Sequence, residues 1–208
     1  MVPVEPPSKR GRRRRDAMLD AAERLFLAHG YDATSLDMII AEAGGSRRSL
    51  YEYFGGKEGL FETVVERIGG EIFGLLDHLD VGDRPPHAAL ATLGLAFLRQ
   101  HVDPKFVALY RLVLGESAAF PEVGRMFWER GPGPAYDKLE DYLRRLTADG
   151  QLSLEDPGIS ARQFVEMVTG AWRNQACLLP QSVPADDRLL VREVEIAVET
   201  FLSGCQSH

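Results

Sequence analysis

The sequence predicts an all-α protein, and three observations carry that reading. Apolar residues recur three and four positions apart in segment after segment, and most glycines and prolines fall between those segments. No stretch of strand length alternates apolar with polar residues, and no internal repeat is visible. With 208 residues, 45% hydrophobic and 26% charged, the chain has the make-up of an ordinary globular protein and enough apolar matter for a real core.

The charge is unevenly spread. The net charge is −7, yet residues 1–60 hold ten Lys/Arg against nine Asp/Glu, leaving 14 against 22 for the remainder. That argues against non-specific coating of nucleic acid and leaves only the front of the chain able to accept phosphate. Cys177 and Cys205 show no CxxC spacing, which speaks against a disulfide framework or zinc site and for a reducing compartment. No apolar run approaches the roughly 20 residues that span a bilayer. The early arginine cluster has no apolar stretch behind it, so a cytoplasmic protein with no membrane partner is expected.

Taken in order, residues 1–12 read as a disordered basic arm, with three prolines and a glycine in the first eleven positions. Lys9, Arg10 and Arg12 to Arg15 supply six basic side chains in seven positions, either a solvated charge run or an arm that crosses phosphates or enters a minor groove. A first helix is predicted from about Arg13 to His29, with Met18, Ala21, Ala22, Leu25 and Phe26 on one side and Gly30 as its stop. Thr34 is the expected N-cap of a second helix through Leu36, Ile39, Ile40 and Ala43. Ala43-Gly44-Gly45-Ser46 then reads as the short turn of a helix-turn-helix.

Ser46 can cap a third helix, Arg47 to Phe54, in which Leu50 and Phe54 point to a core and two arginines and a serine lead the other face. A fourth helix opens at Lys57 and is expected to reach about Leu79. Gly69-Gly70 within it weakens it by roughly 1 kcal/mol per glycine and could mark a bend. Beyond a linker at 81–86, further helices are expected over His87–His101, from Pro104 with Phe106 to Leu114, from Pro121 to Trp128, over Ala135–Ala148 after the Gly131–Pro134 interruption, over Ala161–Leu179 after a loop at 152–160, and over Asp186–Leu202.

The run Thr34 to Gly44, the segment Ser46 to Phe54 and Lys57-Glu-Gly-Leu-Phe61 together resemble the N-terminal domain of the TetR/AcrR family of transcriptional regulators. The resemblance covers about residues 13–65, anchored by Phe26, Gly30, Thr34, Ala43-Gly44, Leu50-Tyr51, Tyr53-Phe54, Lys57-Glu58 and Leu60. It implies a helix-turn-helix DNA-binding domain, taken here as 13–58, joined to an all-helical ligand-binding and dimerisation domain, 59–208. Segments 121–179 are similar to the C-terminal domain of the AefR-like branch. Gly45 stands where an apolar residue is usual, Arg48 where a small one is, Glu52 where a neutral or basic one is, and Gly56 where a capping residue is.

On that reading Arg47, Arg48, Ser49 and Glu52 are the candidates for base reading, Glu52 as an acceptor for cytosine N4. Thr34, Ser46, Tyr51, Tyr53 and Lys57 resemble the family's phosphate contacts, and Arg12, Arg13, Arg14 and Arg15 form the arm. The resemblance also implies a homodimer through 161–179 and 186–202, an inverted-repeat operator in double-stranded DNA and a small-molecule effector. For the effector, Phe97, Phe106, Tyr110, Trp128, Met167 and Trp172 are candidate walls and Arg111, Glu116 or Asn174 candidate polar contacts, with plain core packing the alternative for each.

Catalysis is not expected, and neither a cofactor nor a metal. His78, His87 and His101 lack ligand spacing and no HExxH occurs. Gly115 to Ala119 lacks the second glycine of a nucleophile elbow, and Asp186-Asp187 suits a helix start. The resemblance implies a DNA-binding repressor released by an apolar or amphipathic ligand. An activator, an effector-independent regulator or a helical protein-interaction scaffold are the alternatives.

Overall fold

The computed structural model describes residues 9–77, 84–182 and 186–205. The first part of the basic arm, the expected helix end at Leu79, His78, the first half of the 81–86 linker and Pro184 lie outside them. The described residues form ten α-helices and one short 3-10 turn, with no strand. They fall into two compact units, residues 1–68 with 112–125 and residues 69–111 with 126–208. The first unit thus takes in more than the 13–58 segment expected.

In the first unit α1 spans Lys9–Ala33. It starts four residues before the expected Arg13, so Lys9 to Arg12, assigned above to a disordered arm, are helical. Lys and Arg are good helix formers, and no proline follows Pro7 to stop the turn. Gly30 breaks the regular winding at φ 81° and ψ 176°, a conformation open essentially to glycine alone. Thr34 is buried, its hydroxyl donating to the Gly30 carbonyl at 2.8 Å and the Leu25 carbonyl at 3.2 Å. The cap of α2 (Leu36–Ala43) is therefore Ser35 and not Thr34, with Ser35 Oγ accepting from the Met38 N–H at 3.2 Å.

Helix α3 spans Arg47–Phe54 and α4 spans Lys57–Asp77. The turn before α3 closes tightly onto α1. A Cβ at Gly45 would stand 2.5 Å from Met18 Cε, and Gly45 itself has φ 115°, so the absent side chain tightens the turn. Behind α3 lie Met18, Ala22, Phe26, Ile39, Leu50, Leu60 and Phe61, all fully buried. Tyr31 packs on Phe26, Phe61 and Phe120 with ring centroids 5.8, 4.9 and 4.6 Å away. Its backbone N–H donates to Glu116 Oε1 at 3.2 Å. Arg67 of α4 ties back to α1 through Asp20 at 2.7 Å and through Glu23.

The second unit contains α5 (Pro86–Val102), α8 (Pro132–Ala148), α9 (Pro157–Leu178), a 3-10 turn at Pro180–Ser182 and α10 (Asp187–Gly204). Helices α6 (Pro104–Glu116) and α7 (Pro121–Arg130), like α4, begin in one unit and end in the other. Several helices open on a proline, whose missing N–H is no loss in a first turn. That is why α8 starts at Pro132 and not at Ala135, and why the expected 152–160 loop ends at Asp156, which caps α9 by accepting from the Ile159 N–H at 2.9 Å. Asp186 caps α10 in the same way, through the Arg188 N–H at 2.9 Å.

Helices α5, α8, α9 and α10 share one core, with Leu90, Phe97, Leu98, Leu143, Phe164, Val168, Val194 and Val198 among its members. One polar ring lies deep in this unit. His101 Nδ1 lies 2.7 Å from the Phe97 carbonyl oxygen, and since a carbonyl can only accept, Nδ1 carries the proton. Burial pushes the imidazole down to about 4, the Phe97 carbonyl and Glu166 opposing and Arg173 adding to it.

Two consequences are measurable. Gly30→Ala should destabilise the protein by about 1–3 kcal/mol in urea unfolding, whereas Gly115→Ala, at an open helical position, should be neutral or stabilising by about 0.5–1 kcal/mol. The unfolded imidazole titrates near 6.5 and the folded one near 4, so the unfolded chain binds more protons between those values. Stability linked to His101 is complete above about pH 6.5 and is lost as pH falls toward 4. Unfolding curves across that range should lose up to about 3 kcal/mol from this group, and His101→Asn should flatten that part of the profile.

Candidate functional site

Helix α3 is held in position by its two ends and one buried face. Ser46 Oγ accepts from the Ser49 N–H at 3.2 Å, and the Gly55 N–H closes the far end on the Tyr51 carbonyl at 2.9 Å. Leu50 and Phe54 are buried. The Arg15 guanidinium lies 5.2 Å from the Phe54 ring centre, so α1 covers the end of α3 with a cation on an aromatic face. What remains outside is a polar surface of Arg47, Arg48, Tyr51 and Glu52, with Ser46 at its head and Ser49 half-buried beside it.

The four expected base-reading residues thus share one helix, but all three of their charges are already paired. Arg47 forks onto Asp37 of α2, Nε to Oδ1 at 3.0 Å and Nη2 to Oδ2 at 2.6 Å. This bond holds the Asp37 carboxyl below its ordinary range and the guanidinium above its own. Arg48 Nε donates to Glu52 Oε1 at 2.8 Å, one turn along α3. Both arginines stay well exposed, at 62% and 87%, and exposed pairs of this kind are held only weakly because water screens them. Either can be exchanged for a base edge or a phosphate at small cost.

The expected phosphate contacts separate. Ser46 and Tyr51 are exposed, and Tyr53 is half-buried with its ring edge-on to Phe54. Lys57 Nζ lies 4.2 Å from the Tyr31 ring centre and 3.4 Å from the Asp32 carbonyl oxygen, at the start of α4. Thr34, expected among these contacts, is fully buried and spends its hydroxyl on the backbone, so it cannot touch phosphate. Arg12, Arg13 and Arg14 are exposed on the first turns of α1 while Arg15 is half-buried.

The second unit holds a cleft lined by Phe97 and Gln100 with His101, by Pro132, Ala135 and Tyr136, and by Val165. It contains about 300 Å³ of unfilled space, part of it open to solvent. Of the candidates read from the sequence only Phe97 lines it. Phe106 borders it through His101, ring centres 4.7 Å apart, and stacks on Tyr110 at 5.7 Å. Trp128 is 53% exposed and stacks on Tyr136 at 5.7 Å. Met167, Arg111 and Asn174 are exposed, and Trp172 packs against the main core. Glu116 belongs to the first unit, on the Tyr31 N–H.

Tyr136 of the cleft and the ion pair it bonds to escaped the sequence reading. Tyr136 donates to Glu166 Oε1 at 3.3 Å, and Arg173 grips the same carboxylate with two bonds of 3.0 and 2.8 Å. Arg173 holds that carboxyl below the usual range, while burial, with the Glu166 charge adding to it, pushes the Tyr136 phenol up to about 12. The Arg173 guanidinium also lies 5.7 Å from the Tyr110 ring centre. One signal was available: Glu166 and Arg173 stand seven apart, two turns along one face of α9. Among the described residues no group of three His, Cys, Asp or Glu side chains could hold a metal, and no helix is long and apolar enough to cross a membrane.

Residues 18–64 match the family described as bacterial regulatory proteins, tetR family, and residues 88–204 match the AefR-like transcriptional repressor C-terminal domain. The chain is 49% identical over 53 residues to the HTH-type transcriptional repressor ComR of Escherichia coli, a match spanning 26% of this chain and only 25% of that protein. It is similar in structure to the Flavonoid-responsive Regulator FrrA, with a TM-score of 0.76 and 29% identity over 94% of this chain and 98% of that one. A putative TetR-family regulator from Mesorhizobium loti shares the fold at a TM-score of 0.74 and 24% identity, covering 96% and 100%. With the helix-turn-helix matched at its front and the AefR-like domain over more than half of its length, the chain belongs to the TetR family of DNA-binding transcriptional regulators.

Proposed function

We propose that this protein is a homodimeric repressor that reads an inverted-repeat operator through α3 and is released from it by a small apolar or amphipathic ligand. The observation that carries the DNA-reading part is the division of α3 into a buried face, Leu50 and Phe54, and an exposed face bearing Arg47, Arg48, Tyr51 and Glu52. The N-terminal residues of such a helix meet base edges in the major groove. Arg47 and Arg48 give up their carboxylate partners to guanine or phosphate, Ser49 and Glu52 complete the reading surface, and Ser46, Tyr51, Tyr53 and Lys57 fix its register on the backbone. Arg12, Arg13 and Arg14 supply sequence-independent attraction.

One such helix meets few base pairs, so a two-fold dimer is required for useful specificity. Supporting the expected α9 and α10 contact, Ile159, Met167 and Leu178 on α9 and Leu189 and Ile196 on α10 are large apolar side chains left exposed, at 37–79%. They recur at whole-turn spacings, as helix packing between subunits needs. Repression is supported by the AefR-like repressor match and by the ComR likeness, and ligand response by the name of FrrA. The Gly69-Gly70 step of α4, where the division between the units falls, is the proposed point of bending when ligand binds.

In gel shifts on an operator selected from random DNA, Arg47→Ala should weaken binding by about tenfold to a hundredfold, the equivalent of about 1–3 kcal/mol, without lowering the melting temperature. Equal affinity of the wild type for selected and random DNA at moderate salt would refute sequence reading. Replacing Arg12, Arg13 and Arg14 together by Ala should weaken selected and random DNA alike and flatten the dependence of log affinity on log salt by about 0.9 per lost phosphate contact. Ile196→Glu should give a monomer in sedimentation and lose the two-site operator complex.

A further inference from the structure

We infer that the cleft between α5, α8 and α9 is the effector site and takes a small, uncharged aromatic ring bearing a phenol-type hydroxyl that both donates and accepts hydrogen bonds. This rests on the ligand-released reading above and specifies its chemistry. The walls contributed by Phe97, Pro132, Ala135 and Val165 are apolar, and Tyr136 adds an aromatic face, the lining that a flat ring fills.

The polar part of the lining is incomplete in a specific way. Gln100 borders the cleft, and both its Oε1 and its Nε2 are buried without a hydrogen-bond partner. A primary amide buried with both ends unpaired costs the desolvation of each, a cost that a bound group with one donor and one acceptor removes. Its neighbours add acceptors. His101 has its proton on Nδ1, committed to the Phe97 carbonyl, which leaves Nε2 with a lone pair. The Tyr136 hydroxyl spends its proton on Glu166, which leaves its oxygen able to accept.

The lining therefore offers three acceptor atoms and one donor group. A carboxylate, which only accepts, finds a single donor there. Arg173 does not change this, because Glu166 holds it with two bonds and cancels its charge. A cation finds acceptors but no uncompensated carboxylate, so its burial is costly. An uncharged hydroxyl accepts from Gln100 Nε2 and gives its one proton to Gln100 Oε1, with His101 Nε2 as the alternative acceptor. A site built this way discriminates strongly against an analogue that lacks the hydroxyl proton.

The test uses the full chain and four probes of similar size: 4-ethylphenol, 4-ethylanisole, 4-ethylbenzoate and 4-ethylbenzylamine. Affinities come from calorimetry and from tryptophan emission, for which Trp128, stacked on Tyr136 at 5.7 Å, is a built-in reporter. The phenol is expected to bind tighter than its methyl ether and both ions by about tenfold or more. In Gln100→Leu the preference for phenol over anisole should collapse to about twofold, with the melting temperature unchanged or raised because the unpaired amide is gone. If that variant does not fold, the order of the four probes on wild type decides.

A benzoate or benzylamine that binds best, an anisole equal to the phenol, a preference that survives Gln100→Leu, or no binding by any probe would each overturn the proposal. Gel shifts on the selected operator separate the two readings. Phenol binding that depends on Gln100 but leaves operator affinity unchanged would keep the site and refute release. A ligand that releases operator and binds Gln100→Leu as tightly as wild type would refute this site and keep release.

Discussion

The packing of Tyr31 is the constraint on which the DNA-facing unit depends. Its ring meets Phe26 of α1, Phe61 of α4 and Phe120 of the segment after α6, its amide is fixed by Glu116, and Lys57 stands over its face. Three separate stretches of chain are joined at one residue, the rings in edge and offset arrangements that aromatic quadrupoles favour. The ring can sit there only because Gly30 turns the backbone through a conformation other residues avoid and Thr34 closes the carbonyls that the turn releases. Removing any one of these parts loosens the others, and α3, which packs on α1 and α2, loses its footing with them.

Most of this unit was legible in the sequence because its signals are local. Ser46, Leu50, Phe54 and Gly55 specify α3 to the residue, and the glycines of the turn announce the change of direction. Thr34 was misread because Thr and Ser are adjacent and either can cap. The choice falls to burial, which draws Thr34 inward to the carbonyls of α1. Helix starts at Pro132 and Pro157 were placed late because proline reads as a breaker when its role is to open the next helix. The cleft was least legible. Its polar members come from α5 and α8, and no local pattern brings Gln100 and His101 together with Tyr136.

The proposed reading surface carries its own counter-charges. In water the Arg47–Asp37 and Arg48–Glu52 pairs cost little to break, so they do not compete seriously with a guanine edge. They do hold long side chains in a narrow range of directions before DNA arrives, which reduces the ordering left for binding. Asp37 and Glu52 also penalise any approach that leaves a phosphate beside them without an intervening arginine. A surface of alternating sign thus suits selection among sequences better than general adhesion, in keeping with a chain that is acidic beyond its first sixty residues.

Helix α9 carries two chemistries on opposite faces. Its inner residues, Phe164, Val165 and Val168, build the core and one wall of the cleft, while Arg173 and Glu166 fix the polar edge through Tyr136. Its outer residues, Ile159, Met167 and Leu178, are apolar and uncovered. Met167 was assigned to the ligand on its apolar character alone, yet it follows Glu166 directly and points away from the core. A rigid helix transmits displacement from one face to the other, because close-packed interiors shift as units and do not deform locally. A group that fills the cleft and engages Gln100 acts on the same helix that the proposed dimer uses, so occupancy and subunit geometry share one mechanical element, and neither needs a dedicated relay of side chains.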